Sequence, residues 1–327
     1  MNKLRKATAI FAAVWVFLLI LDGKTALLGA QKGISLCLRT VIPSLFPFFL
    51  LTGMLSSSLM GTGLGILRPV GRFLKLPEGT EVLLIPAFLG GYPAGAKAAA
   101  DAYEKNQLSR EDAIRFLFFG SNAGPAFLFG MGGLLFPRPW QIFSLWTGHL
   151  TAALMLGAML PEAKHHAVPN KNQAHFSLSG CMNSAIQAMA AVCGWVILFR
   201  LVLAFLSRWF LWRLPIWGQA LLSGLLELTN GTVLLAALPE FPLRFLIFTV
   251  LLSFGGICVA MQTLSVLKGL PIRTYLLGKA FQLLFSLLFS IGILYGFWHI
   301  FLVLCLLLLA TQRQREKSSG NSLPSGV

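Results

Sequence analysis

Apolar runs follow one another along almost the whole chain, from Thr8 to Ala310, parted only by short polar connections. They fall at about 8–22, 40–67, 82–102, 113–136, 141–160, 178–206, 217–238, 243–267 and 274–310. A helix needs about 20 residues to cross a hydrocarbon core of about 30 Å, and most of these runs reach that length. Backbone in lipid must satisfy its own hydrogen bonds, so the pattern predicts an all-α polytopic membrane protein.

Two runs do not read as simple spans. VLLIPAFLGGYPAGAKAAADA (82–102) is interrupted at Gly90, Gly91, Tyr92 and Pro93, then carries Gly95, Lys97 and Asp101. Each half has about ten residues, or about 15 Å of helix, which is half of the core. WGQALLSGLLELTNGTVLLAAL (217–238) repeats the pattern, with Glu227, Thr229, Asn230 and Gly231 at its middle. Both runs are expected to be re-entrant hairpins of two half-helices. Each is followed by an interrupted helix. After the first, Ser109 and Asp112 read as a capping box that opens a helix. That helix breaks at Ser121, Asn122, Ala123, Gly124 and Pro125, then resumes as AFLFGMGGLLF. After the second, LRFLIFTVLL breaks at Ser253, Phe254, Gly255 and Gly256, then resumes as ICVAMQTLSVL, which holds Gln262.

The order span, hairpin, broken helix, span therefore occurs twice, over 40–160 and 178–310. An N-terminal helix and connection (1–39) precede the first repeat, and a polar tail (311–327) follows the second. Cytoplasmic loops collect Lys and Arg. With both hairpins re-entrant the two sides carry 14 and 7 such residues; with both crossing fully they carry 12 and 9. The re-entrant arrangement is favoured, and it gives the two repeats opposite orientation. Inverted repeats with paired interrupted segments point to a secondary transporter. The run 274–310 is either one span or two that turn near Tyr295 and Gly296.

Composition agrees with a membrane domain: 56% of the 327 residues are hydrophobic and 11% charged, against about 25% charged in soluble domains. Mean hydropathy is +0.77. The net charge of +15 does not imply a nucleic-acid partner, because the basic residues lie mainly between apolar runs. Lys3, Arg5 and Lys6 ahead of 8–21 resemble a signal peptide, but no small-x-small cleavage pattern follows, so a retained helix is expected. Cys37, Cys181, Cys193, Cys258 and Cys305 are scattered, without a CxxC pair, and read as small apolar side chains.

Non-helical backbone at membrane depth is tolerated only where it is buried in protein or lines a water-filled cavity. Tips and breaks free N–H and C=O groups there, and half-helix N-termini can hold anions while free carbonyls hold cations. The alternative is a set of plain kinks, since Gly and Pro are common in membrane helices. Four breaks at corresponding places favour a site. The candidate substrate-binding set is Gly90, Gly91, Tyr92, Pro93, Gly95, Lys97, Ser121, Asn122, Gly124, Glu227, Thr229, Asn230, Gly231, Ser253, Gly255, Gly256 and Gln262. For Lys97 the competing reading is snorkelling to the interface. For Asn122, Thr229, Asn230 and Gln262 it is hydrogen bonding between helices. Arg200, within GWVILFRLVLAF, reads either as a pathway charge or as a helix-end residue paired with a lipid headgroup; Arg208 close behind favours the headgroup. His165, His166 and His175 sit in the polar connection 161–177 without a metal-ligand pattern, and no HExxH, GxSxG or Walker sequence occurs. No enzymatic activity, metal or cofactor is expected. The expected partners are a small-molecule substrate and the lipid bilayer, with a proton or Na⁺ as coupling ion and Glu227 as the group that would take it.

GGYPAGAKAAADAYEKNQLSREDAIRFLFFGSNAGPAFLFGMGG (90–133), ELTNG (227–231), SFGGICVAMQ (253–262) and VIPSLFPFFLL (41–51) together resemble the bacterial nucleoside-recognition (Gate) domain proteins, and within them a group tied to endospore formation. The likeness covers about 35–305. It implies a core similar to concentrative nucleoside transporters, with two hairpins and two interrupted helices around a central site. The tips then fall on 90–95 and 227–231, and the breaks on 121–125 and 253–256. It further implies transport of dipicolinic acid across the outer forespore membrane. Carriage of nucleosides or nucleobases, and a structural or assembly role in the spore membrane, are the alternatives. Lys97, Tyr92 and the half-helix N-termini would offer such an anion a cation, a stacking face and N–H donors.

Overall fold

A computed structural model describes residues 3–163, 177–238 and 242–297, with the isolated positions 299 and 310. The three histidines of 161–177, Cys305, the far part of 274–310 and the tail 311–327 lie outside the described residues. Among these residues the chain is helical without strands. Five stretches are long and apolar enough to cross a membrane: Gly23–Leu59, Pro139–Met159, Leu178–Trp209, Leu243–Val266 and Ile272–Leu294. Large apolar side chains such as Val16, Leu51, Leu134 and Leu284 stay exposed, the surface that lipid rather than water accepts. The chain is a multi-pass integral membrane protein.

Helix α1 (Lys3–Leu21) leads through Asp22, whose carboxylate accepts from Thr25 N, into α2 (Gly23–Leu36). The sequence reading placed a polar connection over 23–39 and a span over 40–67. Instead α2 continues through a π turn at Cys37–Val41 into α3 (Ile42–Leu59). Packing explains the shift. A methyl on Gly29 would lie 2.8 Å from Ala204 Cβ, and one on Gly33 would lie 2.8 Å from Ile197 Cα. Small residues let backbones approach this closely in membranes, where lipid tails remove the hydrophobic driving force. The partner is α10 (Leu178–Trp209), and Lys32 stays exposed beside the seam.

After the short α4 (Arg68–Phe73) the first hairpin forms from a 3₁₀ turn at Glu81–Leu83, α5 (Leu84–Phe88) and α6 (Ala94–Glu104). Its legs fold back on each other: a methyl on Gly95 would meet Ala87 Cα at 2.8 Å, whereas an unbroken helix would hold residues eight apart about 12 Å from each other. Both legs end beside the C-terminal end of α3. Gly61 N donates to Gly79 O at 2.9 Å, and Lys105 Nζ donates to Ser57 Oγ at 3.4 Å. The broken helix follows as α7 (Arg110–Phe119) and α8 (Pro125–Leu135), with Ser109 Oγ accepting from Asp112 N as the capping box requires. Then α9 (Pro139–Met159) completes the first half.

The second half repeats the order. Helices α11 (Ile216–Leu226) and α12 (Leu228–Leu235) form the second hairpin, and a methyl on Gly231 would overlap Gly224. Helices α13 (Leu243–Phe254) and α14 (Gly256–Val266) form the second broken helix, parted by Gly255 at φ +80°. Finally α15 (Ile272–Leu294) stops short of Gly296 at φ +79°, so 274–310 is not one continuous helix.

Contacts sort the connections into two ends of the molecule. Arg115, on α7, donates to the carbonyls of Leu74, Lys75, Gly157 and Pro161, which ties 74–75, the start of α7 and 157–161 together. Lys268 pairs with Asp101 and Glu104 at that same end. At the other end Arg244 donates to the carbonyls of Leu135 and Leu238. The re-entrant reading of the basic residues groups these connections in this way, and full crossings would separate 68–75 from 103–115. Five of the counted residues need correction: Arg115, Arg244 and Lys279 are buried within α7, α13 and α15, and Lys32 and Arg39 lie inside the continuous stretch Gly23–Leu59. Without them the two sides hold 12 and 4, and the bias stands.

Candidate functional site

The four interruptions meet. A methyl on Gly91 would lie 3.3 Å from Gly124 N, so the first tip rests on the first break. One on Gly256 would lie 2.9 Å from the carbonyl oxygen of Gly224, so the second break rests on the second hairpin. Tyr92 spans the two halves: its hydroxyl donates to Leu252 O at 3.0 Å, and its ring edge lies 3.5 Å from the Cβ position of Gly255. A cavity of about 270 Å³ opens at this junction, walled by both tips, the first break, α14 and the flanking α3 and α10. Of the predicted set, Gly90, Gly91, Tyr92, Gly124, Glu227, Thr229 and Gln262 line it. Phe127 adds an aromatic side chain to the lining, and Thr229 and Gln262 add polar groups.

Glu227 is held by local geometry. Its backbone is extended at φ −143°, and its two carboxylate oxygens accept from Thr229 N and Asn230 N, each at 2.9 Å. The carboxylate therefore caps α12, where the N–H groups and the helix dipole favour negative charge. Arg200 reaches in from α10, with Nε 3.5 Å from Glu227 Oε2 and Nη1 donating to Asn230 Oδ1. The preference for a lipid headgroup at Arg200 is thus corrected: its partner is the second tip. Glu227 presents a compensated charge to the cavity.

Other members of the set lie elsewhere. Gly95 and Gly231 are packing positions inside the hairpins, and Gly255 and Gly256 provide the positive φ at the second break. Pro93 follows a cis peptide bond at the foot of α6. Ser253 is fully buried, and its hydroxyl has no hydrogen-bond partner among the described residues. Asn230 faces Arg200. Lys97 is not in this cavity. Its ammonium donates to Asp101 Oδ2 at 2.6 Å and Ser184 Oγ at 2.7 Å, lining a second, more polar chamber of about 280 Å³ nearer the Arg115 end. There Lys268 closes the ion cluster. Burial works against its charge, but hydrogen bonds to Asp101 and Glu104 outweigh it and hold Lys268 above the usual lysine range.

Ser121 and Asn122 belong to a buried polar network behind Tyr92. Asn122 Nδ2 donates to Ala87 O at 3.1 Å and Phe119 O at 2.9 Å, satisfying carbonyls that the interruptions leave open. Gln282 Nε2 donates to Asn122 Oδ1 at 2.8 Å, and Ala123 N donates to His149 Nε2 at 3.2 Å. Lys279 completes the network, donating to Ser121 O, Gln282 Oε1 and Tyr92. Sequence reading missed His149, Lys279 and Gln282. The spacing of Lys279 and Gln282, one helical turn apart inside an apolar run, was the available signal.

Such a junction leaves room for a small molecule between the two tips. Among the described residues no cluster of His, Cys, Asp and Glu could hold a metal ion.

The chain is similar to the sporulation integral membrane protein YlbJ of Bacillus subtilis (strain 168). The two are 26% identical over 358 aligned positions, which cover 91% of this chain and 86% of that protein. This likeness bears out the resemblance to the spore-forming group. No family model and no solved structure matches the chain.

Proposed function

We propose that this protein is a secondary transporter of small anionic metabolites, and that its cargo is dipicolinic acid, carried into the forespore during sporulation. One observation carries the reading: two hairpin tips and two broken helices converge on one cavity. That arrangement is how secondary transporters place a site near the midplane. The likeness to a sporulation membrane protein supplies the biological setting.

The chemistry favours a flat anion. Tyr92 and Phe127 offer faces for an aromatic ring, and Thr229 and Gln262 offer polar partners at its edge. Helix α8 begins at the cavity wall with no side-chain cap, leaving N–H groups for a carboxylate. Glu227 does not repel such a ligand, because Arg200 and the start of α12 answer its charge. No enzymatic step is assigned to the protein.

Uptake into proteoliposomes tests this. Labelled dipicolinate should accumulate, and Gln262→Ala should lower the rate about tenfold, the equivalent of about 1.4 kcal/mol. Accumulation of uridine instead of dipicolinate would indicate a nucleoside carrier. Flux of neither would indicate a structural or assembly role.

A further inference from the structure

Lys279 lies about two turns into α15 with 0% relative exposure, and no carboxylate pairs with it among the described residues. A buried charge persists only when other groups satisfy it. Three neutral oxygens surround its nitrogen: the main-chain carbonyl of Ser121, the Gln282 Oε1 and, at 3.3 Å, the Tyr92 hydroxyl oxygen.

The hydrogen directions at this nitrogen are fixed by the outer partners. Tyr92 gives its one O–H to Leu252 O, so only its lone pair faces the lysine. Gln282 gives its amide N–H to Asn122 Oδ1, which turns Oε1 toward the lysine. Asn122 is committed in turn, donating to Ala87 and Phe119. The nitrogen therefore meets three acceptors and no donor. An ammonium with three N–H groups matches them; a neutral amine, with two N–H groups and a lone pair, would leave one acceptor unanswered. The rings of Tyr92 and Tyr275, with centroids at 4.8 Å and 5.8 Å, add two π faces toward a cation.

A carbonyl, an amide oxygen and a phenol oxygen are hard neutral donors of the kind that hold a monovalent metal cation. Ser121 stands just past the C-terminal end of α7, where freed carbonyls of a broken helix coordinate cations in secondary transporters. We propose that Lys279 is the resident cation of the first break: its ammonium fills a site for an alkali-metal ion. The break then keeps its shape with no mobile ion, and a variant lacking the ammonium takes up Na⁺ in its place. This inference stands apart from the transport reading, and its test measures no flux.

The test is thermal unfolding of the purified full-length chain in detergent, compared in NaCl and in choline chloride at equal ionic strength. Wild type should unfold at the same temperature in both. Lys279→Ala should unfold roughly 5 °C or more lower in choline, and NaCl should restore at least half of the loss, saturating with concentration as a bound ligand does. Lys279→Met, which fills the space without charge, should be destabilised and gain nothing from Na⁺. An Na⁺-dependent rise in wild type would overturn the proposal, as would a Lys279→Ala protein of wild-type stability or one equally weak in both salts. Should Lys279→Ala fail to fold, Lys279→Gln takes its place under the same criteria, and the wild-type comparison alone can still refute the assignment.

Discussion

Arg200 and Glu227 show how a membrane protein can afford charge at depth. Glu227 is 4% exposed, yet it has two backbone N–H donors and a guanidinium, so each of its oxygens is answered. Breaking such a pair from one side leaves a buried charge with too few partners, which costs about 3 kcal/mol or more. Arg200→Ala should therefore lower the unfolding temperature markedly in detergent. Adding Glu227→Gln should recover part of that loss, because the neutral amide no longer needs a cation. Equal stability of Arg200→Ala and wild type would show that the pair contributes nothing. Little of this was legible in the chain. Arg200 was visible as an odd residue in an apolar run, but its partner lies on another helix, and the nearby Arg208 gave a simpler reading. Lys97 lines the other chamber for a related reason: its depth followed from arithmetic along α6, but the face it occupies depends on the rotation of that helix against α10, where Ser184 receives it.

Interruptions were easier to read than extents. Three of the four breaks were recognisable because Gly and Pro act locally: Gly91, Gly255 and Gly256 adopt φ of +75°, +80° and +85°, conformations that side-chain-bearing residues rarely take, and Pro125 opens α8, whereas the second tip turns at Glu227. The run from Gly23 to Leu59 was misread because its continuity depends on the close seam with α10, and no local signal in 23–39 announces a partner so far along the chain. The two glycines of the second break separate strain from close approach. An alanine at either pays about 1–2 kcal/mol for left-handed backbone. At Gly255 its methyl would find ordinary space, with Val259 at 3.4 Å and the Tyr92 ring at 3.5 Å; at Gly256 it would sit 2.9 Å from the Gly224 carbonyl oxygen. Gly256→Ala should accordingly be clearly less stable than Gly255→Ala in the same unfolding assay. The reverse order would mean that α14 does not rest on the second hairpin.

Across the molecule, side-chain contacts and the distribution of charge give the same topology by independent routes. The Arg115 and Lys268 contacts gather 74–75, 101–104, 157–161 and the α14–α15 connection at one end, and these connections belong to the set that positive charge assigns to the cytoplasm. The opposite end carries the Arg244 contacts. It also takes the connections that hold Trp140, Trp209, Trp212 and Trp217, all at least 42% exposed, as an aromatic belt at a membrane interface would be. Three positions test the arrangement in a background where the five native cysteines are replaced. Arg72, Asn106 and Arg213 are all exposed. Because the first hairpin returns to the end of α3 from which it began, Arg72→Cys and Asn106→Cys should react with an impermeant thiol reagent from the cytoplasmic side alone, and Arg213→Cys from the opposite side alone. Labelling of positions 72 and 106 from different sides would require 82–102 to cross the bilayer. The first tip would then no longer dip in to meet Gly124, and the cavity between the two halves would lose the wall on which the transport reading depends.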